Sequence, residues 1–369
     1  MNTHVSHLVS TPSTRKLSAS MPLARATQTA IKLLQHIEGG SLRLQLPDGQ
    51  TMTLGQGMER AVLEVNDERV FRRVLAEGDI GFAESWMDGD WQSDQLAELL
   101  TLMAENRTQL ARAVHGSWLP VLVHRLRHLT RMNTRAGSKR NILAHYDLGN
   151  DFYKLWLDPS MTYSSAKFST GENMSLEQAQ RFKYLSLLKM LRPEPGQTIL
   201  EIGCGWGGFA ETAAREAGLD VVGVTLSPAQ LDFARQRMAR AGLEGQVRLE
   251  LRDYRDLAGE KFDGIVSIEM FEAVGERWWP SYFSTLQRML APDGRAVVQS
   301  ITIDDRLFPR YRRGTDFIQQ HIFPGGMLPS PSEFRRQAAK AGLSVRDVFA
   351  FGADYSRTLA EWSDSSEQH

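Results

Sequence analysis

The sequence predicts an α/β fold: a mostly parallel sheet with helices on both faces, preceded by a smaller N-terminal α+β domain. Three observations lead there. From about Gln197 onward, apolar strand-like runs alternate with stretches of helical periodicity. A glycine-rich segment, Gly203 to Gly208, sits where one of those strands hands over to a helix. The first part of the chain instead carries a hairpin pattern and helical, aromatic-rich stretches.

Taken in order, residues 1–22 are polar, rich in Ser and Thr, and lack the apolar centre of a secretory signal, so a disordered start is expected. From Ala24 to His36 the spacing predicts a short amphipathic helix. SLRLQLPDGQTMTLG alternates apolar and polar residues around Pro47-Asp48-Gly49, which predicts a β-hairpin. DIGFAESWMDGDWQSDQLAELLTLMAEN reads as helical, with Ser93 or Asp94 available to cap the helix that ends near Asn106. Between Asn106 and Tyr146 there is no acidic residue, while Arg107, Arg112, Arg125, Arg127, Arg131, Arg135, Lys139 and Arg140 alternate with Trp118, Leu119, Val121, Leu122, Leu126 and Leu129. That stretch suits either a solvated helix face with a linker or a cationic amphipathic surface for anionic headgroups. The boundaries that follow are 1–22, 23–135 and 136–369. In the last segment TILEIG, LDVVGVTLS, QVRLELRD, FDGIVSIEM and GRAVVQSITI read as strands. GGFAETAAREAG and PAQLDFARQRMARAG read as helices, the first ended by Gly218 and the second capped by Ser227.

Composition narrows the function. With 369 residues and 42% hydrophobic content the chain can fill two ordinary cores. A net charge of −1 does not mark a polyanion binder, and no recognised nucleic-acid motif accompanies the basic stretch. The lone cysteine, Cys204, rules out an intrachain disulfide and suits a reducing, cytoplasmic setting. No apolar run is long enough to span a bilayer, so a membrane-borne substrate would be met from the water side. No metal site is expected.

The glycine segment reads Glu201-Ile202-Gly203-Cys204-Gly205-Trp206-Gly207-Gly208. Its glycines permit a tight turn and close backbone approach to a ligand. They also satisfy the dinucleotide spacing, so they discriminate poorly by themselves. The second strand, however, ends in Val224-Thr225-Leu226, with no acid for a ribose. An E-x-G-x-G-x-G loop of this kind resembles the S-adenosylmethionine loop of the Rossmann-like methyltransferases.

Further segments sharpen the resemblance. They are His145-Tyr146-Asp147-Leu148-Gly149-Asn150-Asp151-Phe152-Tyr153, Leu157-Asp158-Pro159-Ser160-Met161-Thr162-Tyr163-Ser164-Ser165-Ala166, Met270-Phe271-Glu272-Ala273-Val274-Gly275, Ile322-Phe323-Pro324-Gly325-Gly326 and Phe351-Gly352-Ala353-Asp354-Tyr355. With the glycine loop, they closely resemble the cyclopropane-fatty-acyl-phospholipid synthases and the related mycolic-acid cyclopropane synthases, over roughly Asn141 to Trp362. GDIGFAESWMDGDW resembles the family's smaller N-terminal domain, which would be lipid-proximal.

The resemblance implies transfer of a one-carbon unit from S-adenosylmethionine to a cis double bond in a phospholipid acyl chain. It implies work at an anionic membrane surface, peripheral on the inner face, and assembly as a homodimer is compatible with it. It also implies a bound bicarbonate as base, held by Glu272, Ile301, Tyr355, Ser165 and Gln299. Tyr163 and Ser164 would lie near the methionine end of the cofactor. Gly203, Gly205 and Gly207 would form its loop, Thr225 and Gln230 would take the place of the missing ribose acid, and Asp253 and Tyr254 would lie near the adenine. Plainer readings stand beside these. Glu272 suits a helix cap or an arginine partner, Tyr355 an ordinary half-buried tyrosine, and Asp253 or Tyr254 a simple loop residue. Cys204 suits sheet packing, and His145 a structural hydrogen bond.

The chain departs from the ring-forming members at Ser165, where they carry Cys, and at Gln299, where they carry His. It also ends soon after Trp362, in Ser363 to His369, where members usually continue with helices that wall the acyl site; exposed apolar surface is the expected consequence. Methylation without ring closure, a non-catalytic cofactor- or lipid-binding relative, and a methyltransferase for a small soluble substrate are the alternatives.

Overall fold

The computed structural model describes residues 24–113, 148–170, 173–257 and 259–367; the expected disordered start and the basic stretch from 114 to 140 lie outside the described residues. The chain divides into two compact units, Met1–Pro120 and Val121–His369.

The first unit opens with helix α1 (Arg25–Leu34) and strands β1 (Gly40–Gln45) and β2 (Thr51–Gln56), the predicted antiparallel hairpin. A third strand, β3 (Glu59–Val65), pairs parallel with β1. The return is tight: a Cβ at Gly55 (φ +97°) would lie 2.9 Å from the Gly40 carbonyl oxygen. Leu42 and Leu44 of β1 point inward with Leu54, Leu63 and Val65, while Arg43 and Gln45 face out, as period two requires.

The long stretch expected to be helical is instead three elements after α2 (Arg69–Glu77): α3 (Asp79–Met87), the two-residue strand β4 (Trp91–Gln92) and α4 (Leu96–Glu105), followed by α5 (Arg107–Ala113). Helix α3 stops because Gly89 turns the chain at φ +77°. Trp91 then plugs the core, stacked on Phe82 at 4.1 Å, with its indole N–H donating to the Phe82 carbonyl at 2.8 Å. Neither expected cap sits at the N-cap of α4: that position is Gln95, whose N–H donates to Ser93 Oγ at 3.2 Å.

The second unit holds helices α6 (Gly149–Lys154) and α7 (Leu176–Leu191), then β5 (Thr198–Ile202), α8 (Gly208–Ala217), β6 (Asp220–Thr225), α9 (Pro228–Ala241), β7 (Val247–Leu251) and β8 (Phe262–Ile268). Helix α10 (Trp279–Met289), β9 (Leu290–Gln299), α11 (Phe308–Tyr311), α12 (Pro331–Lys340) and α13 (Gly352–Ser366) complete it. The sheet is five-stranded and wholly parallel, in the order β7-β6-β5-β8-β9. Gly218 closes α8 in the left-handed region, and the Ser227 hydroxyl accepts the Gln230 N–H to start α9, both as the sequence predicts.

Alternate residues of each strand feed two cores. Ile199, Val221, Leu249 and Val266 pack beneath α7, α8 and α9, while Leu200, Val222, Val224 and Ile265 pack beneath α10 and α12. Each fully buried side chain such as Trp279, Tyr282 or Phe283 contributes roughly 1.5–3 kcal/mol. The register sets the function. Ile202 lies beside Val224 and Ser267, and Ser267 beside Val298. Gly203, Thr225, Ile268 and Gln299 therefore leave the sheet at one level, at the crevice where the strand order reverses.

One side chain holds the first unit's loop to its helices. Asn106, almost wholly buried, accepts the Glu38 N–H at 2.9 Å and donates to the carbonyls of Glu38 (3.1 Å) and Leu102 (2.9 Å). Asn106→Ala leaves those backbone groups unpaired and should cost about 1–3 kcal/mol, read as a lower urea midpoint for the first unfolding transition.

Candidate active site

Three glycines of the loop after β5 adopt left-handed geometry: Gly203 (φ +83°), Gly205 (+51°) and Gly207 (+83°). A Cβ on Gly203 would meet Met270 Cγ at 3.1 Å, and one on Gly207 would meet Ala234 Cβ at 3.1 Å. Gly205 alone of the three faces open space. The N–H groups of Gly203 and Cys204 both donate to the Val224 carbonyl, which draws the loop over β6. Glu201 turns inward and accepts the Ala210 N–H, anchoring the start of α8; burial holds its carboxyl far above the usual range. Trp206 donates to Asn150 Oδ1 at 2.8 Å and so joins the loop to α6. Cys204 is buried in the core, where burial raises its thiol well above the ordinary value.

At the end of β6 the Thr225 hydroxyl donates to Gln230 Oε1 (3.0 Å) and accepts the Ser227 N–H (3.2 Å). The pair stands where a ribose-binding acid would otherwise be. Asp253 caps a short turn, and its carboxylate accepts from the Arg255 backbone N–H and guanidinium. Tyr254 packs edge-on against Tyr282 at 5.8 Å and borders the second core.

Across from the glycine loop, Tyr163 belongs to an aromatic cluster, with ring centroids 5.6 Å from Tyr153, 5.3 Å from Trp156 and 5.5 Å from Trp362. Tyr355 reaches the same cluster at 6.4 Å from Trp362. Its hydroxyl is held far up by burial first, then by Glu269, Tyr163 and Glu272. Ser164 is buried and doubly held from α7: the Lys183 ammonium donates to its hydroxyl at 2.7 Å and the Gln180 amide to its carbonyl at 2.8 Å.

Of the five residues expected to form the base site, Ser165 and Gln299 meet at a sixth, Glu269, and Ile301 meets Glu272. The Ser165 N–H (3.0 Å) and the Gln299 side-chain amide (2.8 Å) both donate to Oε1 of Glu269. The Ile301 N–H donates to Oε1 of Glu272. Thr358 of α13 pins the next residue by accepting the Ala166 N–H at 3.0 Å. Glu272 Oε2 and Gln299 Oε1 are buried without a hydrogen-bond partner. Burial, followed by the Glu269 charge, pushes the Glu272 carboxyl up to about 8.

Sequence reasoning missed Glu269 and Lys183. Both left a signal. Glu269 ends an apolar strand at the level of the glycine loop, a costly place for a charge without a task. Lys183 falls on the apolar stripe of α7, among Leu176, Ala179, Gln180, Tyr184, Leu187 and Leu191. It is 1% exposed; burial pushes its ammonium down to about 7, opposed by Glu269, Asp158 and Glu201.

With the geometry in place, comparison with known proteins is decisive. The family model described as mycolic acid cyclopropane synthetase matches residues 133–369. The chain belongs to this family. It is 37% identical over 331 residues to the tuberculostearic acid methyltransferase UfaA1 of Mycobacterium tuberculosis, covering 88% of this chain and 77% of that protein. It is 36% identical over 318 residues to the cyclopropane-fatty-acyl-phospholipid synthase of Escherichia coli strain K12, covering 83% and 76%. The solved mycolic acid cyclopropane synthase CmaA1, complexed with SAH and CTAB, aligns with a TM-score of 0.58 at 34% identity, over 62% of this chain and 83% of that one. The second unit therefore has the fold of the S-adenosylmethionine-dependent methyltransferases, as the sequence predicts.

S-adenosylmethionine fits this site. The left-handed glycine loop leaves open space at Gly205, and the Thr225–Gln230 pair stands at the neighbouring strand end. Bicarbonate, expected from the resemblance, does not fit. Its donors Ser165 N–H, Gln299 amide and Ile301 N–H are already committed to the carboxyl groups of Glu269 and Glu272, and an anion placed among them would meet the like charge of Glu269. Among the described residues no group of three or more His, Cys, Asp or Glu side chains could hold a metal.

The carboxyls give a pH signature. Glu272 rises from 4.5 to about 8, so folding takes up a proton and its contribution is lost as pH climbs through that window. Glu269 and Glu201, also raised, act in the same sense. Lys183, lowered from 10.5 to about 7, works oppositely only above about pH 7. Stability should therefore fall between about pH 5 and 7, by up to ~1.4 kcal/mol per pH unit for each proton. Glu272→Gln should make that slope shallower in urea titrations; an unchanged slope would refute the assignment.

Proposed function

We propose that this chain transfers a one-carbon unit from S-adenosylmethionine to the cis double bond of an unsaturated acyl chain in a membrane phospholipid, closing a cyclopropane ring. One observation carries the proposal. The glycine loop after β5, the carboxylates after β8 and the Gln299–Ile301 segment after β9 leave the sheet at one edge, facing the Tyr163–Ser165 segment. Family membership supports it, as does the activity in the name of the Escherichia coli relative.

When bound, the cofactor supplies an electrophilic methyl group on a sulfonium centre. Gly203, Gly205 and Gly207 would seat it, with Thr225 and Gln230 at its ribose, Tyr163 and Ser164 at its methionine end, and Tyr254 near its adenine. An alkene is a weak nucleophile, so the protein must hold it in line with that methyl group. Water would capture the carbocation that follows. The cluster of Tyr153, Trp156, Tyr163, Tyr355 and Trp362 excludes water, and its ring faces favour positive charge.

A second reading is methyl addition without ring closure. Ser165 and Gln299 stand where ring-forming members carry Cys and His, and a relative of 37% identity is named a tuberculostearic acid methyltransferase. In either reading the protein would act at a membrane surface, on the inner face by family resemblance; no helix among the described residues is long and apolar enough to cross a membrane.

Methyl-labelled cofactor and vesicles of unsaturated phospholipid test the proposal. Label should enter the lipid, faster with anionic than with zwitterionic vesicles, and the anionic advantage should shrink as salt rises. NMR of the product should show ring protons and no alkene. An exocyclic methylene would favour the second reading, and label found only in soluble acceptors would discard both.

A further inference from the structure

Glu269 is placed at some conformational cost. It is a non-glycine residue at φ +48°, at the end of a strand, and its own N–H donates to the Gln299 carbonyl at 2.9 Å. That turn swings its side chain onto the Ser165 N–H and the Gln299 amide, two of the donors that the family resemblance assigns to an external anion. Both bonds land on Oε1, and Oε2 receives no donor among the described residues. The Lys183 ammonium, held at Ser164, favours the charged form.

We propose that the Glu269 carboxylate is the proton acceptor of the reaction, so that this enzyme works without bicarbonate. The inference rests on the reading of the site given above. As the acyl double bond reacts, its π pair forms a C–C bond to the methyl carbon while the C–S bond breaks and its electron pair stays on sulfur. The positive charge left on the other alkene carbon is quenched when a C–H bond of the added carbon breaks. That pair forms the second C–C bond of the ring, and the proton bonds to Glu269 Oε2, to be released to water afterwards.

The neighbouring carboxyl explains the division of labour. The Glu269 charge acts on Glu272, so ionisation of one disfavours ionisation of the other. Glu269 has two hydrogen-bond donors and Lys183 in its favour. Glu272 has the Ile301 N–H and an orphaned, fully buried Oε2. Glu272 is therefore the partner that keeps the proton, which leaves Glu269 free to act as base.

Three measurements on the full-length protein decide the matter. Wild-type turnover on unsaturated phospholipid vesicles in CO₂-depleted buffer should not change when bicarbonate is added, and carbon NMR of labelled bicarbonate should show no binding. Glu269→Gln should still bind S-adenosylhomocysteine by calorimetry while losing about 10²-fold or more in turnover, the range for removal of a general base. Glu269→Gly frees the donors, so it should bind labelled bicarbonate and regain turnover as bicarbonate is added. The proposal is overturned if wild-type protein binds bicarbonate and is accelerated by it, or if E269Q turns over at the wild-type rate. Should either variant fail to fold, the wild-type titration decides alone. Wild-type protein that transferred no label to lipid would remove the functional reading, and the NMR titration would still show whether Glu269 fills the anion site.

Discussion

The site depends on how one buried ammonium is balanced. Lys183 sits inside the second unit with Glu201, Glu269 and Asp158 acting on it, its Nζ bonded to Ser164 and 4.5 Å from the centre of the Tyr184 ring. Removing an ammonium from water costs several kcal/mol, and nearby carboxylates offset it only where they are fixed. Each is fixed by a different part of the fold. Glu201 is tied to the start of α8, Glu269 to Ser165 and Gln299, and Asp158 to the Ser160 N–H at 2.9 Å. Helix α7 thus carries one charge that the glycine loop, the β8 end and the 158–165 segment must all meet. That requirement registers the cofactor side of the site against the reacting side.

The aromatic cluster solves a second constraint. A carbocation in water is consumed at once, so the chemistry needs a wall with no competing nucleophile and some tolerance for positive charge. Tyr153, Trp156, Tyr163 and Trp362 provide ring faces, and Trp206 connects them to the glycine loop through its 5.1 Å contact with Tyr153. Tyr355 approaches the carboxylates from α13, the helix that also pins the 165–166 backbone through Thr358. Position and dryness are therefore supplied by the same helix.

Much of this was legible in the sequence, and the part that was not has physical reasons. Strand periodicity and the strand-to-helix glycines locate the sheet edge because they are local properties of the backbone. The break after α3 was harder. Asp88-Gly89-Asp90 interrupts a run whose composition still favours helix, and only the pairing of Trp91 with β3 shows what the turn is for. Strand β3 was hidden because its neighbour in the sheet is β1, not the strand just before it. Glu269 and Lys183 escaped for a related reason. A lone acid at a strand end and a lone lysine on an apolar stripe look like exceptions until the fold brings them together. Motif resemblance named the donors Ser165, Gln299 and Ile301 and the carboxylate Glu272 that Ile301 meets, but not Glu269, to which the other two donate.

The placement of the base bears on the choice between ring and branch. Under either outcome the proton leaves the same added carbon, so the identity of the base does not decide the product. Timing decides it. If the proton leaves while the charge is still on the far alkene carbon, the freed pair closes the ring. If a hydride shifts first, the charge moves next to the added carbon and the same deprotonation yields an exocyclic methylene. A base that is already in place, ionised and slightly strengthened by burial shortens the interval open to the shift. Glu269 has those properties: burial raises its basicity, while Lys183 and two hydrogen bonds keep it charged. A tethered carboxylate also cannot diffuse away between turnovers, as a bound anion can. In this chain the substitution of Ser and Gln for the Cys and His of the ring-forming members therefore accompanies a built-in base, and ring closure remains the outcome that the geometry favours.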